Sequence, residues 1–157
     1  MSLTFLKSPT GQEPVIVENI FKASPQRLFE AWTTPTEVIK WFGPKTRNLS
    51  HAEIDLQVGG QWCFTYAANG EHADILEGKY QEITAPKRLV FSWTHTRIFN
   101  DGRRETTSPS KVTLTFDTVE QGTRMRLVHS QVEAEAGRLG LTGGWQISYE
   151  RLIELTG

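Results

Sequence analysis

Residues 21–44 read FKASPQRLFEAWTTPTEVIKWFGP, and the two helix starts inside them organise the rest of the chain. Ser24 is an N-cap residue, and Pro25 after it suits a first helical position. Leu28, Phe29 and Trp32 then fall on one helical face. The signal repeats at once: Thr34-Pro35-Thr36-Glu37 is a capping box with Pro in its first turn. Val38, Ile39, Trp41 and Phe42 supply the apolar face of that helix, and Gly43-Pro44 stops it. Two short helices in succession are predicted.

Working outward, VIVENIF (15–21) is a β-branched and aromatic run that predicts a first strand. Beyond Pro44 the period changes to two. Ala52, Ile54 and Leu56 alternate with Glu53 and Asp55, and Gly59-Gly60 marks a hairpin. Trp62, Phe64 and Tyr66 share one face. Residues 75–83 form a further strand, with Gly78 as a candidate bulge position and Ala85-Pro86 as its turn. Leu89, Phe91, Trp93 and His95 share a face, residues 98–110 read as a polar loop, and Val112, Leu114 and Phe116 alternate again. Met125, Leu127 and His129 close the series. Trp145, Tyr149, Leu152 and Ile153 are spaced at i, i+4, i+7 and i+8, which predicts an amphipathic helix over about 142–155. Residues 1–13 read as a flexible lead-in and 14–157 as one domain, with no repeat or linker. The class is α+β: a curved antiparallel sheet of about six or seven strands burying one face against a long C-terminal helix.

The chain has 157 residues, with 17 Lys and Arg against 18 Asp and Glu. That balance argues against a nucleic-acid partner held through phosphates. No apolar run is long enough to span a bilayer, so no membrane insertion is expected. The first residues lack the pattern of a secretory signal. One cysteine, Cys63, excludes a disulfide framework within the chain. The expectation is a reduced, soluble, cytoplasmic protein.

The segments FKASPQRLFEAWTTPTEVIKWFGP, EIDLQVGGQWCFTY, EGKYQEITAPKRLVFSW, TRMRLVHSQV and GGWQISYERL, in that order, run from Phe21 to Leu152. They resemble homologues of the heat-shock-protein-90 ATPase activator, within the START-like, Bet v 1-like superfamily (SRPBCC). The resemblance implies the helix-grip fold, in which a strongly bent sheet wraps a long C-terminal helix. It also implies a hydrophobic cavity between sheet and helix, and it names a chaperone as one partner to consider.

The candidate site is the ring set. Strand parity aims Trp62, Phe64, Tyr66, Phe91 and Trp93 inward, helical spacing adds Trp145 and Tyr149, and Trp41 joins them from the second short helix. These rings either fill the core or line a pocket for a small hydrophobic or amphipathic molecule. His95 and His129 end inward alternations and are the polar points of such a pocket; each is either a ligand-orienting group or a satisfied core histidine. His51 and His72 read as surface or edge residues. Glu77 and Glu82 are ambiguous in parity, and one of them is expected inward beside Tyr80. Arg97, Arg103 and Arg104 flank the 98–110 loop and read as solvated. The four His show no metal-ligand spacing, so neither a metal nor a cofactor is expected. The chain lacks a nucleophile elbow, a phosphate loop and a dinucleotide fingerprint, so nothing compels an enzyme. A ligand-binding domain is the first expectation. A chaperone-associated or stress-related regulator is the second, and an enzyme acting on a pocket-bound substrate through His95 or His129 is the third. A second copy of the chain is an allowed partner with no specified interface.

Overall fold

The period-two segments pair antiparallel into one sheet whose apolar faces all turn the same way. The computed structural model describes residues 6–7 and 14–157. In chain order the elements are β1 (Leu6–Lys7), β2 (Val15–Phe21), α1 (Pro25–Thr33), α2 (Pro35–Trp41), β3 (His51–Ile54), β4 (Gln61–Tyr66), β5 (His72–Thr84), β6 (Arg88–Phe99), β7 (Arg104–Thr106), β8 (Ser110–Val119), β9 (Gly122–Ser130) and α3 (Glu135–Thr156). The sheet order is β1-β2-β9-β8-β6-β5-β4-β3, with β7 paired to β6. The register sets Val15 and Val112 opposite His129, and Val17 and Leu114 opposite Leu127. Alternate residues therefore build one inner face across the strands. The result is the expected α+β, helix-grip arrangement.

The two short helices form as the sequence predicts, by different means. The Ser24 side chain accepts from the Arg27 N–H, and Leu28, Phe29, Ala31 and Trp32 are buried. At α2 the capping box is not made: Thr34 forms no side-chain cap bond. Glu37 pairs instead with Arg27 at 3.0 Å, tying α2 back to α1. Trp32 and Trp41 meet edge to face at 4.6 Å, and the Trp41 indole N–H donates to Ala31 O.

The helix α3 lies over the inner face, with Trp145, Tyr149 and Leu152 buried. The Tyr149 hydroxyl lies 3.1 Å from Val17 O and 3.2 Å from Met125 O, which anchors the helix to β2 and β9. Arg151 performs the other anchorage. Its guanidinium donates to the carbonyls of Lys40, Phe42, Gly43 and Pro44 and to the Asn48 side chain. A cation at the carbonyl end of α2 also meets the negative end of that helix's dipole. The segment 42–48 is thereby fixed against α3.

Several expectations change. Residues 98–110 are not a plain loop: β6 continues to Phe99 and β7 adds a short paired strand. The strands β1 and β7, of two and three residues, add to the six or seven expected. The helix α3 begins at Glu135 rather than near 142. Gly143 and Gly144 lie inside it: Trp145, Tyr149 and Leu152 hold the helix to the core while its first turns carry the glycines. The bulge in β5 lies between Tyr80 and Glu82, not at Gly78. Apart from Leu6 and Lys7, the lead-in expected over residues 1–13 lies outside the described residues.

Gly78 has a packing reason instead. It pairs with Trp62, whose indole N–H donates to Ser92 O, and a Cβ at Gly78 would collide with that Ser92 oxygen and lie 2.8 Å from Trp62 Nε1. Gly78→Ala is expected to lower stability by about 1–3 kcal/mol, the usual cost of overpacking, read as a shifted urea midpoint. An unchanged midpoint would show that the sheet yields there freely.

Candidate functional site

The parity of β5 continues past its apolar residues to Asp74, which is inward and 2% exposed. A buried carboxylate needs partners, and four groups converge on it. His95 Nε2 lies 2.7 Å and Arg97 Nε 2.9 Å from Oδ1; Arg47 Nη1 and His72 Nδ1 each lie 2.7 Å from Oδ2. Burial alone would raise the Asp74 pKa. The hydrogen bonds from His95, Arg47, Arg97 and His72 outweigh it and hold the carboxyl well below the usual range. Asp74 is therefore an ionised acceptor, which requires His95 Nε2 and His72 Nδ1 to carry protons.

Each partner comes from a different place in the chain. Arg97 and His95 follow Trp93 along the inward parity of β6. Arg47 comes from the segment that Arg151 holds, and its second terminal nitrogen donates to Ala67 O and His72 O. Its guanidinium also stacks 5.0 Å from the Tyr66 ring. Burial pushes the Tyr66 hydroxyl up to about 12, against the pull of Arg151 and Arg47, so the phenol stays neutral. That hydroxyl packs on Gly43, which has φ +90° and where any Cβ would collide with it.

Asp74 and its partners other than His72, together with Tyr66 and Gly43, border a cleft of about 330 Å³. Phe42, Leu76, Trp93, Trp145 and Ile147 form its apolar wall, and Arg47, Asp74, His95 and Arg97 form its polar end. From α3 it is lined by Gly140 and Gly144, where an added Cβ would meet nothing within 4 Å. A second cleft of about 390 Å³ shares Trp93, His95, Gly140 and Leu141 with the first and carries Glu133.

The ring set divides between cleft and core. Tyr66, Trp93, His95 and Trp145 border the first cleft. Trp62, Phe64 and Phe91 pack with Trp32, Phe42, Tyr80 and Leu89 around a void of only about 10 Å³, about the minimum for one water. Trp41 and Tyr149 are fully buried and border neither cleft. The Trp62 and Phe91 rings lie 5.4 Å apart, edge to face, so this end of the sheet is filled by side chains.

His129 also lies inside the core. The Trp145 indole N–H donates to its Nδ1 at 3.2 Å, and its Nε2 lies 2.7 Å from Ser110 Oγ, which reaches Trp93 O at 3.4 Å. With Nδ1 accepting, the proton sits on Nε2 and the relay runs Trp145 to His129 to Ser110 to Trp93 O. Burial pushes the imidazole down to about 3, so it is neutral. This relay ties the Trp145 indole to the backbone of Trp93, the other tryptophan that walls the cleft.

Sequence reading missed Asp74, Arg47, Arg97 and His72. His72 is not an edge residue, since its side chain is 14% exposed and bound to Asp74. Arg97 is half-exposed and bound to Asp74 rather than freely solvated. Neither Glu77 nor Glu82 is buried beside Tyr80; Glu82 pairs with Arg88 on the outer side. Starting the strand at 75 hid the signal, because Asp74 and Leu76 share parity, as do His95 and Arg97. Among the described residues no group of His, Cys, Asp and Glu is arranged to hold a metal ion. Likewise no helix is long and apolar enough to cross a membrane.

A family model described as Activator of Hsp90 ATPase homolog 1-like protein matches residues 22–157. Similar solved structures include a protein of Mycobacterium smegmatis, with TM-score 0.77 and 19% identity over 99% of this chain and 98% of that one. A protein of Chromobacterium violaceum gives TM-score 0.77 and 21% identity over 92% and 98%. A protein of Silicibacter pomeroyi, titled as an AHSA1 protein, gives 0.74 and 20% over 90% and 95%. At these identities the likeness is one of fold. A comparison with curated proteins finds no match.

The His129 environment sets a pH dependence. Its folded-state pKa of about 3 lies below the ordinary 6.5. As pH falls below 6.5 the unfolded chain takes up a proton that the folded chain refuses, so stability falls until the pH nears 3. Asp74 adds a loss only below the ordinary carboxylate range, where its unfolded form protonates first. Between pH 6 and 4 the loss through His129 is about 2–3 kcal/mol, at about 1.4 kcal/mol per pH unit. Thermal melts across this range are expected to slope less in His129→Gln than in the native protein. Equal slopes would contradict a neutral buried His129.

Proposed function

The chain belongs to the Activator of Hsp90 ATPase homolog 1-like family, and from that premise we propose that it binds a small amphipathic molecule between α3 and the polar end of the sheet. The observation that carries this reading is the glycine face of α3. Gly140 and Gly144 are four residues apart and so share one side of the helix, opposite Trp93 and Leu76 across the cleft. Glycine inside a helix costs about 1 kcal/mol relative to alanine. Here the cost is offset by no packing contact, since a Cβ at either position meets open space. What the two glycines provide is room beside aromatic walls. Apolar walls with a few convergent polar groups are the usual makeup of a small-molecule site.

The family description names activation of the Hsp90 ATPase, and it supports a second reading as a chaperone-associated protein. The exposed β7 with its flanking turns, residues 100–109, is the surface we assign to that contact. In both readings the protein works in the cytoplasm. A pull-down of the cell's own ATPase chaperone, with its ATP turnover, tests the second reading. Enrichment that disappears when 100–109 is shortened supports it; no enrichment and unchanged turnover remove it.

For the first reading, decanol titrated below its solubility limit is expected to change the fluorescence of Trp93 and Trp145. Gly140→Leu, which fills the cleft, is expected to remove that response while the protein stays folded. Gly144→Ala is expected to raise stability by about 0.5–1 kcal/mol, seen in urea unfolding. Decanol without effect on the native protein would overturn the reading.

A further inference from the structure

We propose that the molecule held in this cleft carries a carboxylate, received by Arg97 at the polar end. This deepens the ligand-binding reading and rests on it. The inner face of the sheet is graded. Along β6 the inward residues run Phe91, Trp93, His95, Arg97; along β5 they run Tyr80, Gly78, Leu76, Asp74. The apolar ends meet in the packed ring cluster, and the charged ends meet at the cleft. A ligand seated there has its apolar part against Trp93 and Trp145 and its head at the charged end.

The sign of that head follows from the charges. Asp74 is the acidic side chain among the residues lining this cleft, and it is already shared by Arg47 and Arg97. Two guanidiniums against one carboxylate leave a surplus of one positive charge among these three side chains. Arg151 lies beyond Tyr66 and adds to the same sign. Glu133 belongs to the neighbouring cleft, so the anionic preference is local to this one.

The donors point to the same chemistry. Arg47 has both terminal nitrogens committed, to Asp74 and to the carbonyls of Ala67 and His72, and only its buried Nε–H, a single donor, lacks a protein partner. Arg97 commits its Nε alone, and among the described residues its two terminal nitrogens have no protein partner. The edge of a guanidinium presents two parallel N–H groups that match the two oxygens of a carboxylate. Asp74 holds the other edge of Arg97 and so orients it toward the cleft. A monoanion with a planar two-oxygen head neutralises the surplus; a cationic head would add to it.

Isothermal titration calorimetry separates the possibilities, with decanoate and decyltrimethylammonium below their micellar concentrations and decanol below its solubility limit. Decanoate is expected to bind at least tenfold more tightly than decanol, as a charge-assisted pair would give, and the ammonium compound more weakly than either. In Arg97→Gln the ratio of decanoate to decanol affinity is expected to shrink to within about threefold, whatever the change in decanol binding itself. Raising the salt from 50 to 500 mM is expected to narrow the advantage in the native protein. Equal affinity for decanoate and decanol would overturn the carboxylate assignment and leave the ligand-binding reading standing. Binding of none of the three would overturn both. A decanoate preference that survives Arg97→Gln would overturn the role of Arg97.

Discussion

The buried charge of Asp74 is the constraint on which the polar half of the molecule depends. A carboxylate out of water is tolerated only when its lone pairs are met, and here each oxygen takes two donors. Those donors reach in from β5, β6 and the segment before β3. Satisfying one side chain therefore fixes three stretches of chain relative to one another. The segment that carries Arg47 is held a second time by Arg151 of α3, which collects the free carbonyls at the end of α2. Sheet, short helices and closing helix are joined at one place, and the cleft lies beside that joint.

The molecule divides its aromatic residues by purpose. At one end Trp62, Phe64, Phe91 and their neighbours interlock with almost no space left, as close-packed interiors do. At the other end the packing stops, because α3 carries glycines where side chains would otherwise cover the sheet. Trp93 and Trp145 stand at the boundary, and the neutral His129 relay ties the Trp145 indole through Ser110 to the backbone of Trp93. Membership of the family is consistent with such a fold. The reading of this chain as a binder of an anionic amphipath rests on its own residues.

Much of this was legible before any coordinates. Paired helix starts at Ser24 and Thr34 and the alternation from Ala52 to His129 led to the helix-grip fold, since those signals are local and strongly periodic. Parity turns the rings inward, and they are buried, but parity does not say whether an inward ring meets another ring or an open space; that depends on what α3 presents opposite it. The helix is predicted to start near 142 because helix propensity is local and glycine weakens it, whereas tertiary contacts of Trp145 and Tyr149 keep the helix intact from Glu135. Asp74, His72 and Arg97 were hidden for a related reason. A charged residue near the end of a strand reads as solvated until its partners are known, and Arg47, Asp74 and Arg97 lie far apart in sequence. The capping box at Thr34 failed because Glu37 had a better partner in Arg27.

The proposed ligand is a carboxylate-bearing apolar molecule with its head at Arg97 and its tail on the tryptophans. Nuclear magnetic resonance of the protein with decanoate labelled with carbon-13 tests it most directly. Magnetisation transfer from the chain methylenes to the indole protons of Trp93 and Trp145 is expected, together with a shift of the Arg97 side-chain signals on binding. Methylene contacts confined to other surfaces, or unmoved Arg97 signals in the bound state, would contradict it.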